Sequence, residues 1–459
     1  MPLVALILRS TASLFRILRT RRVSRRTAFR LKLILTVAFA CLLETIFHVR
    51  SHAIPRPSED LDAPFSTQCQ DPVRAAAANP REDATFVMLA RNNDIKEALK
   101  AVENIERQFN QWFHYPVLFL NNEAWDPEFV RVLNASVSGE ATFEVLKKEE
   151  WTFPPSTDVK HARAKIKEQG DNGVYKGGLE SYHHMCRFYS GNFYRLEALR
   201  KYRWYWRLEP GVEYMCAITY DPFVEMARRE KAYGFVVALW EVPETCPSLF
   251  RAVDEFRAAN QIPETPMWRA LIDPSWAPWP IRRLKGWLGG EHRNRNGDTW
   301  NLCHYWSNFE IADLDFFRSD TYQELFEHLD RSGGFYDERW GDASVHALAV
   351  HMLLGPDQVH HFADIGYYHD PWFQCPGNAP GGQRLDLAAL GDNSRSSPES
   401  KGGIGCRCQC PDDRRRNNRG ICLNTMQSPA AFHRPSFVQK WRGQYPYTIN
   451  MPTARPKPR

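Results

Sequence analysis

Nine basic residues and no acidic one precede the first long apolar run of this chain, and that asymmetry constrains everything after it. Arg9, Arg16, Arg19, Arg21, Arg22, Arg25, Arg26, Arg30 and Lys32 lead into LILTVAFACLLETIFHV at 33–49. The charge-free part, 33–43, is too short alone to cross a bilayer, which takes about 20 residues. Counted through Val49 the run approaches that length, with Glu44 near one end. A cleaved signal peptide is the rival reading. The basic region is too long for one, and no small-x-small cleavage pattern stands out. The chain therefore reads as a basic cytosolic tail (1–30), a transmembrane signal-anchor (31–49) and a large luminal part, oriented by the positive-inside rule. The net charge of +5 belongs to the tail; the remainder is slightly acidic. Nothing in it asks for nucleic acid.

Cysteine usage agrees with a lumen. Of 11 cysteines, Cys41 lies in the apolar run, and an even set remains: Cys69, Cys186, Cys216, Cys246, Cys303, Cys375, Cys406, Cys408, Cys410 and Cys422. In an oxidising compartment such a set predicts disulfides. The cluster CRCQC at 406–410, with Cys422, could instead bind zinc. Its C-x-C-x-C spacing is not that of a common zinc finger, which favours disulfides.

Residues 50–83 are polar and proline-containing and read as a stem. A catalytic-sized domain follows over 84–426, then a C-terminal extension (427–459) without clear periodicity. ATFVMLA (84–90) predicts a buried strand. Over 94–109, Ile95, Leu99, Val102, Ile105 and Phe109 recur at helical spacing. Asp94 can cap that helix, with Glu97 in capping-box position. YPVLFL (115–120) predicts the next strand. Strand, helix and strand in this order argue for an α/β sheet with parallel pairing. Ligands of such sheets gather at the carboxyl ends of strands. Arg91 and Asn92 fall at one such end and Asn121 and Asn122 at another, although turn chemistry explains such residues equally well.

Five segments carry candidate chemistry. In YRWYWRLEPGV (202–212), Pro210 and Gly211 end a strand and leave Glu209 at its tip, where a carboxylate can hold Mn²⁺ or Mg²⁺. In NLCHYWSNFEI (301–311), Glu310 sits in an apolar run. Burying it costs several kcal/mol unless it is paired, so it is either structural or catalytic. GGFYDERWGDASVH (333–346) sets Asp337, Glu338 and Asp342 around Trp340. HHFADIGYYHDP (360–371) offers His360, His361 and His369 as possible metal ligands. LESYHHMCRFYSG (179–191) contains Tyr182 and Arg187; Arg187 could grip a diphosphate bidentately or hold a structural carboxylate.

Taken in order, ATFVMLARN, SYHHMCRFYSG, YWRLEPGV, YDPF (220–223), CHYWSNFEIADLDFFRS, GGFYDERWGDASVH and HHFADIGYYHDP, with CP at 375–376, resemble the fungal α-1,2-mannosyltransferases, glycosyltransferase family fifteen. The resemblance runs from about 84 to 375, plus the cysteine-rich tail. It implies a GT-A-like, Rossmann-type mixed sheet flanked by helices, and transfer of mannose from GDP-mannose with retention. The acceptor would be the 2-hydroxyl of a mannose on O- or N-linked glycans of a glycoprotein, and the place the Golgi membrane, as a single-pass type II protein. By that resemblance Glu209 and His369 are the Mn²⁺ ligands and Glu310 the nucleophile candidate. Tyr182 lies near donor and acceptor. Asp342, Arg187, Arg91 and Arg207 are expected substrate or nucleotide contacts. The chain departs from the family at 262–296, a longer Trp- and Arg-rich stretch that could reshape the acceptor site, and at Ser344, where Pro is common. A mannosylphosphate transferase of the same family and a non-catalytic glycan-binding scaffold are the alternative functions.

Overall fold

The computed structural model describes residues 25–52, 64–66, 69–376, 405–410 and 421–426. The expected cytosolic tail up to residue 24 and the expected extension from 427 lie outside the described residues. Its centre is a seven-stranded sheet of β1 (Ala84–Leu89), β2 (Val117–Asn121), β3 (Ala141–Val145), β4 (Trp204–Arg207), β5 (Tyr233–Phe235), β6 (Ile311–Asp313) and β7 (Val359–His361). The strand order is β7-β5-β6-β4-β1-β2-β3. β1 pairs parallel with β2, in register Phe86↔Val117, and parallel with β4. β6 alone runs antiparallel, against both β4 and β5.

Among the helices are α1 (Arg25–Ser51), α2 (Ile95–Ile105), α3 (Glu180–Arg187), α4 (Trp279–Leu288) and α5 (Asp342–Leu353). The α2 crossover follows the expected spacing, burying Ala98, Ala101, Val102 and Ile105. Its start differs from the capping box expected of Asp94 and Glu97. Asp94 instead accepts from the backbone of Arg91 and from both sides of the Arg91 guanidinium, at 2.9–3.0 Å. A single 3-10 turn, Asn92–Asp94, precedes the helix.

The sheet is buried on both faces, as helix-covered parallel sheets are. Alternation along β4 divides its side chains between two cores. Trp204 and Trp206 pack with Phe86, Phe109 and Phe223, while Tyr205 packs with Phe193, Phe317 and the apolar side of α5. Two cores on opposite faces of one sheet make a three-layer α/β sandwich.

The cysteine-rich tail is a clasp of disulfides, as its spacing favoured over zinc. Cys406 joins Cys69, Cys408 joins Cys216, Cys410 joins Cys375 and Cys422 joins Cys303. Cys186 and Cys246 stay unpaired and buried, so the even count overstates the bridges. The first bridge ties the expected stem to the domain. Beside it, Phe65 is buried and stacks on His360 at 3.7 Å, and Gln70 donates its N–H to Thr219. From Phe65 onward the lead-in is domain body rather than tether.

α1 is long and apolar enough to cross a membrane, and its apolar side chains from Leu33 to Phe47 are largely exposed. Its carboxyl end meets the domain at α4 and at Asp298.

The Trp206 indole has no exposed surface and sits among five aromatic rings. Trp206→Ala should cost about 3–5 kcal/mol, seen as a lower urea midpoint in fluorescence unfolding of the full chain.

Candidate active site

Strand direction explains why distant residues meet. β1 and β4 run toward one edge of the sheet; Arg91 lies two residues past the end of β1, and Arg207 ends β4. The antiparallel β6 starts at that edge, so Glu310, the residue before it, lies beside the end of β4. The Arg207 N–H donates to the Glu310 carbonyl at 2.9 Å.

Arg207 is the hub. Its side chain is almost wholly buried and lies over the Tyr189 ring, 3.7 Å from the centroid. Nε and Nη2 donate to Glu209 Oε1 at 2.9 and 2.6 Å. Nη1 donates to Asp342 Oδ2 at 2.6 Å and reaches Ser307 Oγ at 3.3 Å. The Ser307 hydroxyl donates to the same Asp342 oxygen. Glu310 Oε1 is 4.0 Å from Nη1. Asp342 opens α5, where the helix dipole adds to this support. Burial opposes its charge, but Arg207, His346 and the Ser307 hydroxyl hold its carboxyl below the usual range.

Glu310 is 0 % exposed. Tyr205 donates to Oε1 at 2.6 Å, Tyr233 to Oε2 at 2.8 Å, and His346 Nδ1 lies 3.0 Å from Oε2. His346 Nε2 faces the Tyr189 carbonyl at 3.0 Å. Nε2 also meets the Tyr194 hydroxyl at 2.6 Å, which can donate to the neutral ring or accept from the imidazolium. Burial works against that charge; Glu310 and Asp342 outweigh it, and the ring's pKa is raised.

His369 ends a short strand that pairs with Glu213–Tyr214, just past Glu209. Its ring stacks on Trp306 at 5.2 Å, and its Nδ1 is within hydrogen-bond reach of the Asn308 amide nitrogen. Burial lowers its pKa despite the opposing Glu209 carboxylate, which keeps the ring neutral and able to ligate. Tyr182 stands on α3 between Lys176 and Arg339, whose cationic groups lie 4.5 and 5.5 Å from its ring centroid. Burial raises its hydroxyl pKa, with Arg339 opposing and Asp342 and Glu209 adding to the rise.

Tyr182, Arg207, Glu209, Asp342 and His369 therefore converge. Several expected substrate contacts are committed to other partners. Arg187, expected on a diphosphate, is taken by Asp330, with Nε–Oδ1 2.6 Å and Nη2–Oδ2 2.8 Å. Arg207, expected on the nucleotide, spends its donors on carboxylates. Arg91 is at the right edge but exposed and paired with Asp94. Glu310, expected to attack the sugar, has no open face. His360 stacks on Phe65, and His361 lies between Gln374 and the Val236 carbonyl; both serve the core. Asp337 pairs with His161, and Glu338 accepts from the Trp340 indole.

Several members escaped sequence reasoning. Tyr205 and Tyr233 look like ordinary strand aromatics, and His346 like a helix residue. The buried Glu310 was the one signal that partners must exist. Glu241 was also missed: it accepts from Ser344 Oγ at 2.6 Å and from Arg339 Nη2 at 3.3 Å. Ser344 thus binds a carboxylate that Pro could not. A separate cleft, lined by Arg81, His114, Tyr115 and Lys201, opens at the amino ends of β1 and β2. That is the opposite edge from this cluster.

Residues 51–380 match the family model described as "Glycolipid 2-alpha-mannosyltransferase". The chain belongs to that family. It is a glycosyltransferase, an enzyme of the mannosyltransferase type. It is 40 % identical over 329 residues to the glycolipid 2-alpha-mannosyltransferase of Saccharomyces cerevisiae, covering 71 % of this chain and 70 % of that one. It is 36 % identical over 421 residues to the O-glycoside alpha-1,2-mannosyltransferase homolog 4 of Schizosaccharomyces pombe, covering 86 % and 90 %. Among solved structures it resembles core-mannan synthase A of Aspergillus fumigatus in a Mn/GDP form, with TM-score 0.60, 32 % identity and coverage of 73 % and 91 %. It also resembles the mannosyltransferase Ktr4p of S. cerevisiae in complex with GDP, with TM-score 0.63, 28 % identity and coverage of 87 % and 92 %.

The His346–Glu310 pair carries a pH signature. A raised His346 pKa contributes stability that is complete below the unfolded value near 6.5 and is lost as pH rises through the folded one. The melting temperature should therefore fall as pH rises above about 6.5. His346→Gln should flatten that slope in fluorescence melts.

Proposed function

We propose that this mannosyltransferase moves mannose from GDP-mannose to the 2-hydroxyl of an acceptor mannose on an O- or N-linked glycan, with retention. We place it in the Golgi lumen on a GT-A-like domain, held by α1. The observation that carries the reading is the approach of Glu209 and His369 at the carboxyl edge of the sheet, backed by the Arg207 cluster.

That pair fits Mn²⁺. Arg207 occupies only one oxygen of Glu209, and the side chain of Glu209 is 25 % exposed. His369 is neutral and half-buried. The cluster behind them sets the carboxylates of Glu209, Asp342 and Glu310 around the single Arg207 guanidinium, an acid-rich setting for a cation. Carboxylate plus imidazole suits manganese. When bound, the ion would act as a Lewis acid, offsetting charge on the departing diphosphate.

Asn308 supports the His369 ligand. Its Oδ1 is buried without a partner while its Nδ2 faces His369 Nδ1. With the amide turned over, Oδ1 accepts the Nδ1 proton and the Nε2 lone pair is left for metal, as carbonyl–histidine supports do. Asn308→Ala should weaken Mn²⁺ binding by about 10–100-fold, measured by calorimetry in the presence of GDP. An unchanged affinity removes Asn308 from this role.

The rest follows from charge. The sugar passes through an oxocarbenium-like state. Asp342 and Glu310 hold Arg207, Arg207 holds Glu209, and these carboxylates favour the cationic sugar. A carboxylate sealed by two tyrosines and a histidine supports a front-face route in which Glu310 acts through its field. Glu310→Gln should nearly abolish transfer to α-methyl mannoside while leaving GDP binding largely intact. Intact-mass spectrometry of the enzyme with GDP-mannose should show no mannosyl adduct; an adduct on Glu310 would restore it as nucleophile. Product mass also separates the alternative, since a mannosylphosphate transferase adds phosphate with the hexose. A chain without Mn²⁺-dependent turnover of GDP-mannose would leave only the scaffold reading.

A further inference from the structure

A surface helix in water normally turns its apolar stripe inward. α4 does the reverse. Arg282 and Gly286, one turn apart, face the domain. A Cβ on Gly286 would lie 2.2 Å from the Arg295 carbonyl oxygen, so that side has no room for a larger residue. Ile281, Leu284, Trp287 and Leu288 point outward, Trp287 with 77 % of its surface exposed; Trp276 and Trp279 extend the patch. A contiguous apolar face of this kind marks an interaction surface.

The neighbouring element indicates the occupant. Glu44 of α1 accepts from the Trp279 N–H at 2.9 Å and forms an ion pair with Arg282. One turn on, His48 Nε2 meets the buried Asp298 Oδ1 at 2.8 Å. The charge-free run 33–43 is about 16 Å of helix, roughly half of a hydrocarbon slab of about 30 Å. The rest of the crossing falls to the turns around Glu44, where Phe47 is exposed and Arg282 answers the one charge. α4 is therefore fixed where the membrane helix leaves the bilayer, and its outer face continues the apolar surface of α1. The exposed Arg283 and Lys285 on its flanks suit headgroups, and indoles favour that depth.

We propose that α4 is an interfacial membrane helix, lying in the leaflet from which the catalytic domain projects, with a lipid surface as its partner. The inference rests on reading α1 as the anchor. The Trp- and Arg-rich stretch at 262–296 is then a second attachment point, not a rim of the acceptor site. Its first part packs into the core through Met267 and Trp268, and Thr265 donates to the His351 carbonyl. Among the described contacts none joins 262–296 to Glu209, Asp342 or His369.

The test uses the full chain reconstituted in phosphatidylcholine vesicles carrying bromine on the acyl chains, either near the headgroup or at mid-chain. α1 contains no Trp, so quenched fluorescence must come from the domain. Headgroup-proximal bromine should quench a fraction of the emission, more than mid-chain bromine does. The triple variant W276F/W279F/W287F should lose most of that quenching, while Trp240→Phe, another exposed indole, should not. Equal quenching in wild type and triple variant overturns the proposal. So does conversion of a dimer to a monomer by the triple variant with no loss of quenching, which would make a second copy the partner. Flotation with vesicles after an alkaline wash reports α1 separately. A chain that floats but is not quenched sinks the α4 proposal alone; a chain that does not float sinks the anchor reading with it.

Discussion

One buried guanidinium holds the catalytic edge together. Arg207 reaches carboxylates from three separate parts of the chain: Glu209 on its own strand, Asp342 at the start of α5 and Glu310 before β6. None of these acids could be buried alone, since an unpaired buried charge costs several kcal/mol. Each keeps the others in place, and removing one partner from such a network typically costs about 3–5 kcal/mol. Stability and chemistry are therefore not separable here. A change at Arg207 alters the fold of the edge and the field at the sugar together.

The sheet topology makes this meeting possible. In an all-parallel sheet the residue preceding a strand lies at the edge opposite the ligand. Reversal of β6 alone carries Glu310 to the side where β1 and β4 end. Tyr205 and Tyr233, on the strands flanking β6, then point to the same face and close over the carboxylate. The arrangement leaves Glu209 partly open at that edge.

Much of the frame was legible in the sequence because its signals are local. The β1–α2–β2 unit followed from apolar period and length, and the position of Glu209 from a strand closed by Pro210 and Gly211. The motifs pointed to a family in which Glu209 and His369 act together, and both lie at one edge. What failed depended on partners. Whether Arg187 binds phosphate or Asp330 is decided by a residue 143 positions away. The sealing of Glu310 depends on two tyrosines and a histidine with no individual signature. Asp94 missed its expected cap because Arg91, three residues earlier, competed for the same carboxylate. The unusual stretch at 262–296 was visible as composition, but its direction was not, since an inverted helix has the same periodicity as an ordinary one.

The clasp of disulfides has a consequence for how the enzyme matures. All four bridges draw on cysteines from 406 to 422, and their partners are spread from Cys69 to Cys375. None can close until nearly the whole polypeptide has been synthesised and delivered to the oxidising side. The lead-in at Phe65 and the strands around His369 must wait, reduced and unlocked, for the last segment to arrive. Ribosomal products that stop short of residue 406 would carry every proposed catalytic side chain and not one cross-link, which gives a secretory quality-control system a simple mark of incompleteness.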